Sequence, residues 1–368
     1  MPVSKIQHIH VTGFRSLRDI TLELSPVTVV IGANGTGKSN LLSVLRLISL
    51  LRAQSLRRFV GEQGGASALL HYYGAVTKEL AIDLEIKEAD SCGGYQALLG
   101  YAAGDSLIFL HEGVTIPGDP LTPTMLGLGV GHAESRLAEG TKEPYCAQFK
   151  AIDEHIVRMG FFHFHDTAPL RQSAFRSDDR ILHSDGSNVA AFLYRLKIGD
   201  TEDTRAAWNL IKGLARRVSP CIKELVPDLV DPSRPEQSAV RLYWTDERDH
   251  RFDVHDLSDG TLRAIALFTA LGQPAASRPT FVTIDEPELS LHPAALGVFA
   301  ALVRSVSAHC QVLLATQSST LLDEFEPEDI VIAERRDGAS TFRRLATDKL
   351  AAWLEEFSLS ELYAKNIL

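Results

Sequence analysis

The chain has 368 residues, of which 45% are hydrophobic, so it can bury the core of one large domain or two ordinary ones. Its formal net charge of −10 excludes a protein that coats nucleic acid over its whole surface, so any DNA contact needs a local basic patch. The four cysteines form no CxxC pair, which favours reduced thiols in the cytoplasm. We expect no signal peptide and no membrane span, because no run approaches ~18 apolar residues.

Two runs near the start of the chain alternate apolar and polar residues, which predicts β-strands. They are Ile6–Val11 and Ile20–Leu24, and we expect both to share one sheet with the strand that follows. The residues between them, Gly13–Leu17, predict a tight connection with the cation Arg15 at its tip.

The stretch VTVVIGANGTGKSN at residues 27–40 carries the strongest motif in the chain. A buried strand, the pattern GxxxxGK[ST] and an apolar helix follow one another, which is the context of a phosphate-binding loop, or Walker A motif. Gly35 and Gly37 allow successive N–H groups to line the phosphates. Lys38 adds a positive charge near them, and the hydroxyl of Ser39 is placed to bind Mg²⁺. The sequence therefore predicts a nucleotide site.

The helix after this loop runs into four arginines, which are the best candidates for a local basic patch in the first third of the chain. They are Arg46, Arg52, Arg57 and Arg58.

Three strand-like runs then follow, with turn signals between them, and predict an antiparallel meander. The runs are Leu80–Ile86, Tyr95–Tyr101 and Leu107–Leu110. The turn signals are Gly93-Gly94 and Gly104-Asp105, and the residues from Pro117 to Gly131 predict an irregular excursion.

Helical patterns dominate the span from about 115 to 238, at residues 145–159, 187–198 and 204–218. Within this span, His163 and His165 would lie on one face of a short strand at residues 161–167. This spacing occurs in metal sites, but no third strong ligand is evident beyond Asp166. Polar residues at a strand end are therefore the favoured interpretation.

A predicted hairpin, Val240–Trp244 and Arg251–His255, leads into the segment Leu257–Thr261 and a further helix. Ser258 is a good candidate for the helix N-cap, and Gly260 allows close backbone approach in the first turn.

A second buried strand ends in the adjacent carboxylates Asp285 and Glu286, which form a Walker B motif. Because side chains alternate along a strand, we expect the two carboxylates to face different ways and to have different roles. Asp285 would hold Mg²⁺, and Glu286 would reach the attacking water as its base or orienter. A third buried strand, Gln311–Ala315, ends at Thr316-Gln317-Ser318, and two last strands are predicted at 330–333 and 341–345.

The three motifs Gly32–Ser39, Leu257–Thr261 and Phe281–Glu286, in this order, resemble the head of an ABC-type ATPase. Closer details are similar to the RecF/OLD/SMC-like branch and to stand-alone AAA-type ATPases of bacteria. The segments that carry this similarity are GFRSL (13–17), Asn34, HFHDT (163–167), LSDGT (257–261), DEPELSLHP (285–293), ATQS (315–318) and SLSELY (358–363).

The resemblance implies an α/β fold, a two-lobed ABC head with a mixed sheet, an antiparallel meander and a mostly helical insertion. The expected segments are lobe I (1–114), the insertion (115–238, including the lobe-joining strand 161–167), lobe II (239–346) and a C-terminal helical tail (347–368).

The resemblance also implies roles for single residues. Glu286 would be catalytic, Gln317 would occupy the switch position where many ABC ATPases have histidine, and Ser39 with Asp285 would bind Mg²⁺. The nucleotide-binding residues would be Arg15, Asn34, Gly35, Thr36, Gly37, Lys38, Ser39 and Asn40. Ser258, Asp259 and Gly260 would contact the ATP of a partner subunit.

A signature that serves another chain's phosphate makes ATP the link of a two-fold pair. The implied protein is therefore a cytoplasmic ATPase that forms an ATP-dependent homodimer or higher oligomer and acts in DNA repair or anti-phage defence. The residues after Thr316 are few and contain no DxD arrangement, so we expect a separate effector or nuclease-like chain.

Three alternatives stand beside this interpretation. A nucleotide-gated scaffold with little turnover is less favoured because Glu286 is present. A transport ATPase subunit would need a membrane partner, and the segments 13–17 and 285–293 disfavour it. A small-molecule kinase would leave Leu257–Thr261 without a purpose.

Overall fold

The computed structural model describes residues 5–88, 91–116, 124–140, 146–345, 353, 356–365 and 367. The chain divides into two compact units, residues 1–159 with 326–368 and residues 160–325. The four-segment division expected from the sequence stays a prediction.

The regular elements of the two units are numbered along the chain. The strands are β1 (Lys5–Phe14), β2 (Leu17–Glu23), β3 (Val27–Ile31), β4 (Glu79–Glu88), β5 (Ser91–Ala102), β6 (Ser106–Ile116), β7 (Thr124–Gly129), β8 (Met159–Phe162), β9 (Ala174–Phe175), β10 (Glu224–Leu229), β11 (Ala239–Thr245), β12 (Arg251–Asp253), β13 (Phe281–Asp285), β14 (Gln311–Thr316), β15 (Ile330–Arg336) and β16 (Ala339–Arg344). The helices are α1 (Lys38–Arg52), α2 (Leu56–Glu62), α3 (Tyr73–Val76), α4 (Leu137–Gly140), α5 (Cys146–Val157), α6 (Val189–Ile198), α7 (Glu202–Val218), α8 (Asp259–Leu271), α9 (Pro293–Val306), α10 (Ser319–Leu322) and α11 (Leu359–Ala364).

An antiparallel sheet in the order β2–β1–β4–β5–β6–β7 dominates the first unit. Strand β1 has β2 on one side and β4 on the other. The expectation that the first two strands join the P-loop strand in one sheet is therefore wrong, because β1 and β2 belong to this sheet and β3 belongs to another. Strand β3 instead pairs in parallel with β15, which pairs with β16.

The predicted meander is confirmed as β4, β5 and β6, with two corrections. Gly93 and Gly94, expected in a turn, lie inside β5 opposite Ile86 and Glu85. Glycine fits there because a Cβ at Gly94 would lie 2.5 Å from the carbonyl oxygen of Leu84. Part of the predicted irregular segment is strand β7, while residues 117–123 lie outside the described residues.

Helix α1 follows the P-loop strand and buries apolar residues at helical spacing, among them Leu41, Val44 and Leu45. Helix α5 packs against its far end, where Arg52 donates to both oxygens of Asp153 at 2.8 and 3.0 Å. This pair fixes the end of the helix that begins at the phosphate-binding loop.

The second unit contains the parallel strands β13 and β14, with β8 beside β13. Both parallel strands are buried almost throughout, as their continuous apolar sequences predict. A small antiparallel sheet of β10, β11 and β12 confirms the predicted hairpin, and helices α6 to α9 pack together in this unit. The span predicted to be helical therefore also contains strands, from β7 to β10.

Among the described residues, Cys92, Cys221 and Cys310 form no disulfide. In the part of the chain that the structure describes, no helix combines the length and the apolar character that a membrane crossing requires. Much of the predicted helical tail, including residues 346–352, lies outside the described residues.

Candidate nucleotide site

The phosphate-binding loop of the first unit has two glycines in left-handed backbone conformations. The φ angle is +78° at Gly35 and +106° at Gly37. A Cβ at Gly37 would lie 2.0 Å from the hydroxyl oxygen of Ser340, whereas one at Gly35 would meet nothing within 4 Å. Gly37 is therefore required by conformation and by packing, and Gly35 leaves open space beside the loop.

Lys38 folds over the start of this loop. Its ammonium donates to the carbonyl oxygens of Gly32 at 2.6 Å and Ala33 at 3.1 Å, and the residue is only 6% exposed. The hydroxyl of Thr36 also donates to Ala33, at 2.9 Å. A buried ammonium bound to carbonyl oxygens can exchange them for phosphate oxygens. Asn34 and Ser39 lie exposed at the loop and the first turn of α1.

Three side chains join the predicted turn at residues 13–17 to the P-loop helix. The amide of Asn40 donates to the hydroxyl of Ser16 at 2.7 Å, and that hydroxyl lies 2.6 Å from the hydroxyl of Ser340. Ser16 and Ser340 are buried, and neither was identified from the sequence. Asn40 thus supports the loop, and its direct contact with a nucleotide stays a prediction.

Arg15 occupies the tip of the turn with φ +48°. Its guanidinium donates to the side chain of Gln63, and its carbonyl accepts from Nδ1 of His71 at 2.5 Å. Burial lowers the pKa of the Arg15 guanidinium. A direct contact between Arg15 and a nucleotide stays a prediction.

In the second unit, Glu286 lies at the carboxyl end of β13 with φ +46°. Its backbone N–H donates to the carbonyl of Ala315 at 2.8 Å. One oxygen of its carboxylate accepts a hydrogen bond from the side-chain amide of Gln317. Nε2 of His165 lies 3.8 Å from the other oxygen and 3.2 Å from the carbonyl of Asp285. The structure therefore brings together the predicted catalytic pair and a histidine of segment 163–167.

A second glutamate follows two residues later. The carboxylate of Glu288 accepts from the hydroxyl of Thr316 at 2.6 Å and from the backbone N–H of Gln317 at 3.2 Å. Glu288 is not among the functional residues predicted from the sequence, although it lies inside the DEPE segment.

The signature segment Leu257–Thr261 forms the first turn of α8. The hydroxyl oxygen of Ser258 accepts from the backbone N–H of Thr261 at 3.2 Å, which confirms the predicted N-cap. A Cβ at Gly260 would lie 2.3 Å from the carbonyl oxygen of Ser290. Glycine therefore brings the signature turn against the segment that follows Glu286.

Asp259 is held by two donors. Thr167 and Arg171 each donate to the same carboxylate oxygen at 2.7 Å. These hydrogen bonds, that of Thr167 first, lower the pKa of the Asp259 carboxyl. Arg171 also donates to the carbonyls of Val254 at 2.8 Å and Leu257 at 3.0 Å. Arg171 thus fixes the backbone before Ser258 and the Asp259 side chain after it.

Arg263 is a buried cation on α8, only 8% exposed. It donates to the carbonyl of Phe164 at 2.7 Å, to that of Leu289 at 3.2 Å and to that of His165. It therefore connects the signature helix with the segments on both sides of the Glu286 carboxylate. Its sequence signal was a cation within an otherwise apolar helix face.

Two of the four arginines of the predicted basic patch are paired with carboxylates. Arg52 contacts Asp153, and Arg58 lies 3.5 Å from Glu62. Over the described ranges, no group of three or more His, Cys, Asp or Glu side chains is arranged to hold a metal ion.

Two family models match the chain. Residues 5–91 match the model described as "AAA ATPase domain", and residues 156–323 match "AAA domain, putative AbiEii toxin, Type IV TA system". The DNA replication and repair protein RecF of Crocosphaera subtropica is 41% identical over 54 residues. That match covers 14% of this chain and 14% of RecF, so the chain matches only a small part of that relative.

The similar solved structures include SMC head domains. A head with an extended coiled coil, bound to the C-terminal domain of ScpA and derived from Pyrococcus furiosus, has a TM-score of 0.64 at 15% identity, over 96% of this chain and 99% of its own. An SMC head bound to the C-winged helix domain of ScpA has a TM-score of 0.60 at 14% identity, over 94% and 99%. A head with a coiled coil and joint from Pyrococcus yayanosii has a TM-score of 0.56 at 13% identity, over 96% and 99%.

The SMC heads show that the chain has the α/β fold of an SMC head domain, which confirms the predicted fold class, and the two AAA matches support an ABC/AAA-type ATPase. The short match to RecF and the fold of the SMC heads agree with the RecF/OLD/SMC-like branch that the sequence predicts.

Proposed function

We propose that the chain is a Mg²⁺-dependent ATPase that pairs with a second copy when ATP is bound and separates from it after hydrolysis. The observation that carries this proposal is the Glu286 carboxylate, which Gln317 orients at the end of the buried strand β13. A half-buried carboxylate held in this way can accept the proton of an attacking water. The two AAA family matches support this assignment.

The loop of the first unit would bind the phosphates. Its glycine conformations and the buried Lys38 ammonium suit an anion, and the open space beside Gly35 leaves room for one. Ser39 and Asp285 supply the oxygen ligands that Mg²⁺ prefers. When bound, Mg²⁺ neutralises charge on the phosphates.

In the proposed reaction, a water oxygen bonds to the γ-phosphorus and the bond to the β–γ bridging oxygen breaks. The products are ADP and inorganic phosphate, and Glu286 accepts the proton that the water releases. Gln317 keeps the carboxylate directed at the water. Lys38 stabilises the negative charge on the phosphate oxygens.

The pairing of two copies would depend on the signature turn. Ser258 is exposed at the N-terminus of a 13-residue helix, where backbone N–H groups and the helix dipole attract anions. An unpaired carboxylate at Asp259 would repel a phosphate there. Arg171 neutralises that carboxylate at 2.7 Å, so the turn can accept the γ-phosphate of a partner's ATP.

The nucleotide switch would control a separate effector chain in a nucleic-acid-related complex. The support is the short match to RecF, a replication and repair protein, and the SMC heads solved with ScpA. A scaffold with little turnover is the second candidate, because the resting Glu286 carboxylate already has one oxygen occupied by Gln317.

The test measures ATP binding with a fluorescent ATP analogue and phosphate release with Mg²⁺, with and without duplex DNA. We expect the wild type to turn over, Lys38→Ala to lose binding, and Glu286→Gln to bind ATP while hydrolysing it about 100-fold more slowly. Binding without turnover in the wild type would favour the scaffold. A wild type that does not bind ATP would refute both the ATPase and the scaffold.

A further inference from the structure

The two oxygens of the Glu288 carboxylate differ in their hydrogen bonding. Oε1 accepts from the Thr316 hydroxyl at 2.6 Å and from the Gln317 backbone N–H at 3.2 Å. Oε2 is buried and has no hydrogen-bond partner among the described residues. A buried, unsatisfied carboxylate oxygen is unfavourable for folding, so its presence requires an explanation.

The direction of the Thr316–Glu288 bond follows from counting protons. The Thr316 hydroxyl oxygen accepts from the backbone N–H of Ser318 at 2.9 Å, and an N–H can only donate. The hydroxyl is therefore left to donate its own proton to Glu288. The turn after β14 is thus anchored to one carboxylate oxygen by a hydroxyl and a backbone amide.

This anchor lies next to the proposed catalytic carboxylate. Glu286 and Glu288 flank Pro287, whose ring restricts φ and which is buried. Glu288 holds the backbone of Gln317, and the side chain of Gln317 donates to Glu286. Gln317 is therefore held at its backbone by Glu288 and at its side chain by Glu286. The two glutamates belong to one short segment.

We propose that Glu288 is a positioning residue that fixes Gln317 relative to Glu286 and so sets the direction of the carboxylate that acts on water. This inference rests on the proposed ATPase function. It explains why a carboxylate stands at this position: Oε1 anchors the turn after β14, a role that an apolar side chain of similar size could not fill.

The kinetic test compares Glu288→Ala, Glu288→Gln and Thr316→Val with the wild type. We expect Glu288→Ala and Thr316→Val to lower kcat up to about tenfold with the KM for ATP little changed, because misdirected groups lose rate rather than binding. Glu288→Gln keeps an acceptor oxygen and should retain most of the rate. Glu247→Ala, in the exposed turn after β11, is the matched control and should be unaffected.

A double-mutant cycle separates positioning from general damage. If Glu288 acts through Gln317, adding Glu288→Ala to Gln317→Ala should lower kcat by less than about 3-fold further. If Glu288→Ala lowered kcat by the same factor in the wild type and in Gln317→Ala, the proposal would be overturned.

A second readout needs no turnover. In protein labelled with ¹⁵N-glutamine, the side-chain amide resonance of Gln317, assigned with Gln317→Ala, should shift in Glu288→Ala and Thr316→Val but not in Glu247→Ala. An unshifted resonance in both variants would overturn the positioning role. A wild type without hydrolysis would instead refute the proposed ATPase, and the resonance would still decide the role of Glu288.

Discussion

The side-chain amide of Gln317 donates a hydrogen bond to the carboxylate of Glu286, across the carboxyl ends of the adjacent parallel strands β13 and β14. Both residues lie just beyond the ends of these strands, where side chains of an α/β sheet face bound ligands. His165 approaches the second oxygen of the same carboxylate at 3.8 Å. The carboxylate of Glu286 is therefore approached by residues from two other segments, one at each oxygen.

Replacing Gln317 tests whether this orientation serves hydrolysis. Gln317→Leu has similar size but no donor, so Glu286 loses its partner while the P-loop is untouched. We expect kcat to fall about tenfold with a nearly constant KM for ATP, because the lost contact affects the step on water. Gln237→Leu, on an exposed loop, serves as the control. A wild-type kcat in Gln317→Leu would show that Glu286 needs no such support.

Gly37 offers a test of the loop conformation. Gly37→Ala must adopt φ +106° and place a methyl 2.0 Å from Ser340, so we expect a loss of about 1–3 kcal/mol in unfolding free energy. The affinity for ATP should fall as well. Gly213→Ala, in the middle of α7 with open space around it, should instead raise the unfolding free energy by about 0.5–1 kcal/mol. Urea unfolding and an ATP titration measure both effects, and similar behaviour of the two variants would contradict the described loop.

The buried side chain of His155 predicts that the stability of the first unit depends on pH. Burial first, and the charge of Arg158 second, lower its pKa from 6.5 to about 4. Because the folded-state pKa lies below the unfolded one, stability is fully present above pH 6.5 and declines as the pH falls towards 4. The expected loss over this range is about 3 kcal/mol. His155→Gln cannot gain the proton, so its unfolding free energy should decline less between pH 7 and 5. If the unfolding free energies of His155→Gln and the wild type declined equally with pH, His155 would not be the group responsible.

A mixing experiment tests whether the signature acts on a partner. Lys38→Ala removes the phosphate-binding cation, and Ser258→Arg blocks the exposed signature turn. Each variant alone should be inactive, since every composite site lacks one part. Mixed in equal amounts, they form pairs with one intact site, and ATPase activity should reappear. A mixture as inactive as its components would show that Ser258 does not work across a pair.

Local motifs made much of this site predictable. The P-loop strand, the Ser258 cap and the buried strand before Asp285 follow from glycine conformations, capping and apolar runs within a few residues. The alternation expected for Asp285 and Glu286 stops at the strand end, because Glu286 adopts φ +46°. Sequence periodicity contains no signal for that change of direction.

Contacts between distant segments were not predictable. Glu288 meets Thr316 28 residues later, and Arg263 meets Phe164 99 residues earlier. The pairing of β1 with β4, and not with the P-loop strand, has the same origin. Strand patterns show which face is buried but not which strand lies alongside. For the contact of Arg263, the one hint in the sequence was a cation within an otherwise apolar helix face.

The most direct test of the account is the molar mass of Glu286→Gln in solution, measured by light scattering at saturating ATP and Mg²⁺. This variant should bind ATP without cleaving it, so the account predicts twice the monomer mass with ATP and the monomer mass without it. Adding Ser258→Arg should return the mass to that of the monomer. A Glu286→Gln protein that binds ATP and stays monomeric would contradict the account.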